Sequence, residues 1–284
     1  MVRLTLRQLI TGVNIMETIG FLGAGNMAEA LIKGIITKGL YKPGSIFISD
    51  IRAERLQALS KQYNIQQVSE NSRLTQKTQI IVLAVKPQNM AEALESIKET
   101  IRPGTLFISI AAGIKTANIS SVLSDVAIVR VMPNTPALIG EGASALFVNA
   151  KARPMLDKAV SIFSAVGQAV LVDDEDLMDA VTAVSGSGPA YYFLLMEKMV
   201  DAAVEMGIDK ITAEKLVLQT AKGAALLALE ADAHGENPAQ LRQKVTSPGG
   251  TTQAALQVLK DGKFSSLITE AIQRASSRSR ELSA

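Results

Sequence analysis

Short apolar runs and amphipathic stretches alternate along the first part of the chain. Ile19-Gly20-Phe21-Leu22 reads as a buried strand, and a helix follows at once from Asn26 towards Lys38. Gly39 stands where a helix stops in a left-handed residue. Residues 45–50 predict a second strand, 52–62 a helix with Leu56 and Leu59 inward, 65–68 a short strand and 71–76 a short helix. The continuous apolar run 79–85 predicts a strand closed by Lys86-Pro87. A helix over 90–100 carries Ala91, Leu94, Ile97 and Lys98 at helical spacing, and strands follow at 106–110 and 127–132. Strands alternating with helices predict a parallel sheet covered on both faces. Right-handed crossovers make it doubly wound, with its ligand at the carboxyl ends of the strands.

Two further strands, 143–148 and 168–172, flank a helix over 153–166. From Asp173 the strand-like runs stop. The acidic run Asp173-Asp174-Glu175-Asp176 reads as a helix start on a solvated face, where acids complement the helix dipole. Helices are expected over 175–184, 188–206, 212–230, 240–245, 252–260 and 264–282. Within 191–206 and 216–229, apolar residues surround most of the circumference, so both helices must be buried on every side. A helical domain of this size cannot cover both alone. The pattern therefore predicts interleaved dimerisation, with Met196, Met199 and Met206 as core.

The turn after the first strand carries the candidate chemistry. Gly23, Gly25 and Ala28 have the spacing G-x-G-x-x-A, the alanine variant of the dinucleotide fingerprint. The first glycine makes the turn, the second admits a pyrophosphate, and the small third residue lets helix pack on strand. Free N–H groups at the helix start favour that anion. By the strand-end rule, 23–27, 49–52, 84–87, 111–113 and 132–136 line one crevice. The small residues Ala84, Ala111, Ala112 and Gly113 leave room for a flat ring, and Lys86 is either a phosphate or substrate contact or a solvated loop lysine. At the end of the second strand, Asp50 argues for NADH, through a ribose hydroxyl, and Ser49 and Arg52 argue for NADPH. The balance leans to NADPH if Asp50 caps the following helix. Two polar turns stand out later: Ser185-Gly186-Ser187-Gly188-Pro189-Ala190-Tyr191, read as a link between helices, and Thr246-Ser247-Pro248-Gly249-Gly250-Thr251-Thr252, which opens a helix. The second offers N–H groups and hydroxyls to a small carboxylate, or is simply a capped helix start.

Composition narrows the partners. A net charge of +2 over 284 residues argues against nucleic acid and an acidic membrane surface. No apolar run reaches the roughly 18 residues of a spanning helix. With no cysteine and one histidine, His234, thiol catalysis and disulfides are excluded and a metal centre is not expected; the chain suits a reducing cytoplasm. Residues 1–15 contain Arg3 and Arg7 and no acid, and read as a loose extension ahead of a compact start at Met16, with a transit peptide as the alternative.

Taken together, 19–28, 84–88, 131–136, 185–191, 246–252 and the ending Arg278-Ser279-Arg280-Glu281-Leu282 resemble pyrroline-5-carboxylate reductase, the enzyme of the last step of proline synthesis. The resemblance runs from about Met16 to the end. It implies a Rossmann-type domain over 16–173 and an all-helical substrate-binding and dimerisation domain over 174–284. It implies reduction of 1-pyrroline-5-carboxylate to L-proline by NADPH or NADH, in a homodimer or a decamer built from dimers. Gly23, Ala24, Gly25, Asn26 and Met27 would hold the pyrophosphate. Ser49, Arg52 and Asn71 would face the adenosine phosphate end; Ala84, Val85, Lys86, Pro87, Ala111, Ala112 and Gly113 would line the nicotinamide side. Ser247, Gly250, Thr251 and Thr252 would bind the substrate carboxylate, and Thr182 matches the candidate proton-donating hydroxyl. Asp50 is less regular for that family. The rival readings are a β-hydroxyacid dehydrogenase using Lys198 as acid–base, and a catalytically silent nucleotide-sensing dimer.

Overall fold

The computed structural model describes residues 17–283, so the expectations for 1–15 lie outside the described residues. The chain runs β1 (Ile19–Leu22), α1 (Asn26–Thr37), β2 (Ile46–Ser49), α2 (Ala53–Tyr63), β3 (Gln66–Gln67), α3 (Asn71–Lys77), β4 (Ile80–Leu83), α4 (Met90–Glu95), β5 (Leu106–Ser109), α5 (Thr116–Leu123), β6 (Ala127–Met132), β7 (Gly142–Val148), α6 (Leu156–Ser164) and β8 (Gly167–Leu171). These strands form an 8-stranded sheet in the order β3-β2-β1-β4-β5-β6-β7-β8. The strand order reverses between β1 and β4, so the turn after β1 lies at the switch point where doubly wound sheets take their ligands.

Alternate residues of each strand bury on opposite faces, as the period of two requires. Ile19, Phe21, Ile46, Ile48, Ile80, Val82, Leu106 and Ile108 pack with Leu31, Ile32 and Ile35 of α1 and with Ile162 and Phe163 of α6. Ile81, Leu83, Phe107 and Ile128 pack on the other face with Leu74, Leu94 and Ile119. Each such fully buried side chain contributes roughly 1.5–3 kcal/mol.

Two expectations change here. The 90–100 stretch is not one helix: α4 stops at Glu95 and a 3₁₀ turn covers Lys98–Thr100. Its inward set is Met90, Ala93, Leu94 and Ile97, while Ala91 and Lys98 are exposed. The all-parallel expectation also fails at the last two strands, since β7 runs antiparallel to β6 and β8 follows its direction. Only a short 3₁₀ segment, Thr135–Ile139, joins the two, too little chain for a crossover. Gly140, at φ +82, closes that segment by donating its N–H to the Ala137 carbonyl. β8 then pairs parallel to β7 through α6.

Beyond β8 come α7 (Met178–Val181), α8 (Gly188–Glu205), α9 (Lys210–Ala233), α10 (Pro238–Lys244), α11 (Thr251–Asp261) and α12 (Phe264–Ser283). The described chain divides into two compact units: 17–187 with 275–283, and 188–274. In the helical unit, Asp209 caps α9 by accepting the Thr212 N–H, and Asn237 and Gln240 form a reciprocal capping box on α10. Tyr192, Phe193, Leu194 and Leu195 of α8 and Leu216, Leu218, Leu226, Leu227 and Leu229 of α9 are exposed in the single chain, as are Met199 and Met206. One chain therefore leaves uncovered the helices that the sequence pattern requires to be buried all round. Among the described residues no helix is long and apolar enough to cross a membrane.

Candidate active site

The turn after β1 is fixed by backbone geometry. Gly23 has φ +100, and a Cβ there would lie 2.6 Å from the Ala84 carbonyl oxygen, so only glycine fits. Its N–H donates to the Ser49 carbonyl at 2.7 Å, which ties the turn to β2. Gly25 is the N-cap of α1 and provides no side-chain cap. A Cβ at Gly25 would meet nothing within 4 Å. Open space thus faces an uncapped helix start whose first N–H groups have no acceptor inside the helix, a good fit for a dinucleotide pyrophosphate.

Side chains hold the Ala24 peptide from both sides. Asp50 Oδ2 accepts the Ala24 N–H at 2.7 Å, and Arg55 Nε donates to the Ala24 carbonyl at 2.8 Å. Arg55 also pairs with Glu29, which accepts from the Tyr63 hydroxyl at 3.0 Å. Burial would raise Glu29, but the hydrogen bonds from Arg55 and Tyr63 outweigh it and hold the carboxyl below its ordinary range. Asp50 does not cap α2, as the leaning to NADPH supposed; the N-cap residue is Arg52. Asp50 Oδ1 instead accepts from the Arg52 N–H and Nε, both at 2.9 Å. Burial would raise this carboxyl as well, yet the bonds from Arg52 and Ala24 bring it down to about 2. Asp50 is therefore ionised at neutral pH, with Arg52 forked onto it. Ser49 is buried and donates to Asn71 Oδ1 at 2.6 Å; Asn71 Nδ2 donates to Ser96 Oγ at 2.9 Å.

The carboxyl ends of β4, β5 and β6 lie on the same edge of the sheet as that of β1. Ala84 follows β4 and donates its N–H to the Leu22 carbonyl at 2.8 Å, and Lys86 is exposed. Ala111 and Gly113 are buried after β5, and Ala112 is exposed. At the end of β6, Asn134 Oδ1 accepts the Ala143 N–H at 2.9 Å and Nδ2 donates to the Ser185 carbonyl at 3.2 Å. Asn134 thereby fastens the sheet to the segment after α7, a bracing role that its place in a Met-Pro-Asn-Thr-Pro loop does not disclose.

That segment is not the expected inter-helix turn. Residues Thr182–Gly186 wind as a π-helix, with the Ser187 N–H reaching back to the Thr182 carbonyl at 2.8 Å. Such π segments recur at functional sites. A Cβ on Gly186 would meet Met132 Cε at 2.5 Å, so this glycine lets the segment lie against β6. Thr182 is half-buried, and its hydroxyl donates to the Met178 carbonyl at 2.7 Å. An apolar hollow of about 410 Å³ lies alongside, lined by Ala143, Ser144, Val170, Leu177, Val181 and Val184.

The acidic run also departs from the solvated-face reading. Asp174 accepts the Asp176 N–H and Asp176 pairs with Lys115, as surface groups do. Glu175 is largely buried: it accepts from Arg130 Nη1 at 3.0 Å and from the Thr116 N–H and hydroxyl at 2.7 and 2.6 Å. An arginine inside the apolar strand Ala127–Met132 was the available signal for this pair.

In the helical unit, α11 opens at Gly250 with no side-chain cap, unlike α9 and α10. Ser247 and Thr251 are exposed; Gly250 and Thr252 are half-exposed. The Gly250 N–H closes the turn on the Ser247 carbonyl at 3.1 Å. Lys198 is exposed and paired with Glu197 and Asp201, which hold its ammonium charged and disfavour it as an acid–base group.

Residues 175–282 match the family described as pyrroline-5-carboxylate reductase dimerisation, and 18–113 that described as NADP oxidoreductase, coenzyme F420-dependent. The chain is 44% identical over 266 residues to the pyrroline-5-carboxylate reductase of Pseudomonas aeruginosa, covering 93% of this chain and 96% of that one. This chain belongs to the pyrroline-5-carboxylate reductase family. The reductase is also 40% identical over 270 residues to pyrroline-5-carboxylate reductase 2 of Bacillus subtilis, covering 94% and 95%. Among solved structures, it matches a pyrroline-5-carboxylate reductase from Coxiella burnetii with TM-score 0.89 and 38% identity, over 95% and 100% of the chains. It matches the Plasmodium falciparum pyrroline carboxylate reductase, solved with NADP bound, with TM-score 0.82 and 31% identity, over 95% and 99%. The reductase is thus an oxidoreductase with an NAD(P)-type Rossmann domain followed by a helical dimerisation domain.

Proposed function

We propose that this reductase converts 1-pyrroline-5-carboxylate to L-proline with NADPH as the favoured cofactor, working in the cytoplasm as a homodimer or as a decamer built from dimers. The observation that carries the substrate assignment is the 44% identity to a pyrroline-5-carboxylate reductase over 93% of the chain. The bound nicotinamide would supply the hydride for the imine carbon. The residues supply binding and orientation. The first N–H groups of α1, past Gly25, take the pyrophosphate, and Ala84, Val85, Lys86, Pro87, Ala111, Ala112 and Gly113 border the nicotinamide. The N–H groups of Gly250, Thr251 and Thr252, with the Ser247 hydroxyl, take the substrate carboxylate. Thr182 meets the ring nitrogen. Because its own proton is engaged by Met178, its oxygen is free to accept a hydrogen bond from a protonated iminium, or the hydroxyl turns to donate to the imine.

With Asp50 bound to Arg52 rather than capping α2, the NADPH preference rests on Arg52. Its side chain is 58% exposed and forked onto Asp50, so a 2′-phosphate can draw it away, whereas NADH leaves the pair intact. Removing Arg52 should therefore penalise one cofactor selectively. For Arg52→Ala, kcat/KM with NADPH should fall by about 10–100-fold, the range of a lost charge-assisted hydrogen bond, while the value with NADH changes by less than about threefold. Steady-state kinetics with both cofactors checks this, and equal losses would refute the preference.

A further inference from the structure

α7 is only four residues long, with a 3₁₀ turn (Glu175–Leu177) before it and the π segment after it. A helix this short has no stability of its own and must be fastened by its surroundings. Besides its packing on β7, one fastening comes from the far end of the chain. Asp179, 6% exposed, accepts a hydrogen bond from the Ser279 hydroxyl at 2.6 Å, across 100 positions of sequence. Ser279, also 6% exposed, stands in the last turns of α12, and residues 275–283 belong to the same compact unit as the sheet. A buried carboxyl with this partner is costly to keep unless it holds something in place. Asp179 lies three residues before Thr182, one helical turn away. Its neighbour Met178, 1% exposed, provides the carbonyl that receives the Thr182 hydroxyl.

We propose that Asp179 and Ser279 are positioning residues: the end of the C-terminal helix fixes α7, and α7 fixes the hydroxyl of Thr182. This rests on the reading that Thr182 meets the substrate. The cofactor turn at 23–27 and the carboxylate turn at 247–252 are built from other elements, so loss of the clamp lowers turnover and spares binding. The Arg-Ser-Arg ending of the sequence thereby gains a function, through its serine.

Kinetics of the full-length protein well below its melting temperature, with thermal unfolding measured alongside, test this. Ser279→Ala should lower kcat about tenfold, with KM for imine and cofactor within about twofold, as a sub-ångström displacement of a reacting group would. Ser279→Thr, which keeps the hydroxyl, should retain at least about half of kcat. In a Thr182→Ala background, Ser279→Ala should add nothing further, because the group it positions is gone. A Ser279→Ala protein with lowered melting temperature and unchanged kcat would overturn the clamp, as would losses that multiply between Ser279→Ala and Thr182→Ala. Full turnover in Thr182→Ala alone would instead remove the reading on which the clamp rests.

Discussion

Replacing Glu175 with alanine is expected to cost the folded chain about 3–5 kcal/mol, because the change leaves a buried guanidinium without its counter-charge. Arg130 is 4% exposed on the central strand β6, and Glu175 Oε1 lies 3.0 Å from its Nη1. The same carboxylate accepts the N–H and the hydroxyl of Thr116, so three donors lose their acceptor together. For a chain of this length the melting temperature should fall by roughly 10 °C. Glu175→Gln, which keeps an acceptor for Thr116 but no charge for Arg130, should lose about half as much. Thermal unfolding followed by circular dichroism measures both. A loss below about 1 kcal/mol for the alanine variant would show that Arg130 is satisfied without Glu175.

The second large effect concerns the cofactor turn. In Gly23→Ala the new methyl would sit 2.6 Å from the Ala84 carbonyl oxygen and 2.7 Å from its carbon, and the backbone angle of +100° is itself unfavourable for alanine. Both neighbours are main chain of β4's end and cannot swing aside, so the turn must move. Moving it breaks the Gly23 N–H bond to Ser49 and shifts the first turn of α1 away from the pyrophosphate. The cost to stability should be about 1–3 kcal/mol. Cofactor affinity should fall about 100-fold, on the order of two lost charge-assisted hydrogen bonds. Titration of the nicotinamide fluorescence reads the affinity directly. An affinity within about threefold of wild type would mean that the turn does not carry the pyrophosphate.

Much of this was legible in the sequence because it depends on near neighbours. The run Ile19-Gly20-Phe21-Leu22, the helix after it and Gly39 at φ +67 follow from local pattern and glycine chemistry. What was not legible depends on distant partners or on direction. Periodicity says where a strand lies but not which way it runs, and the reversal at β7 follows from the length of the link that ends at Gly140. Ser185-Gly186-Ser187-Gly188-Pro189 has the composition of a turn, yet packing of Gly186 against Met132 and the bond from Ser187 to Thr182 keep it wound. Asp50 reads as a helix cap from its sequence neighbours, but besides Arg52 it holds the Ala24 N–H, brought close by the parallel pairing of β1 and β2. The candidate site divides in the same way. The glycine turn, the small strand-end residues and the uncapped turn at Gly250 could be found by spacing. Arg55, Asn134 and the identity of Glu175 as the partner of Arg130 became visible only once the sheet was assembled.

The most direct measurement mixes purified full-length protein with 1-pyrroline-5-carboxylate and NADPH, follows the nicotinamide absorbance, and quantifies L-proline at the end. Oxidation of NADPH with formation of an equimolar amount of L-proline is the expected result. No oxidation, or oxidation that occurs only when a keto acid replaces the cyclic imine, would contradict the assignment.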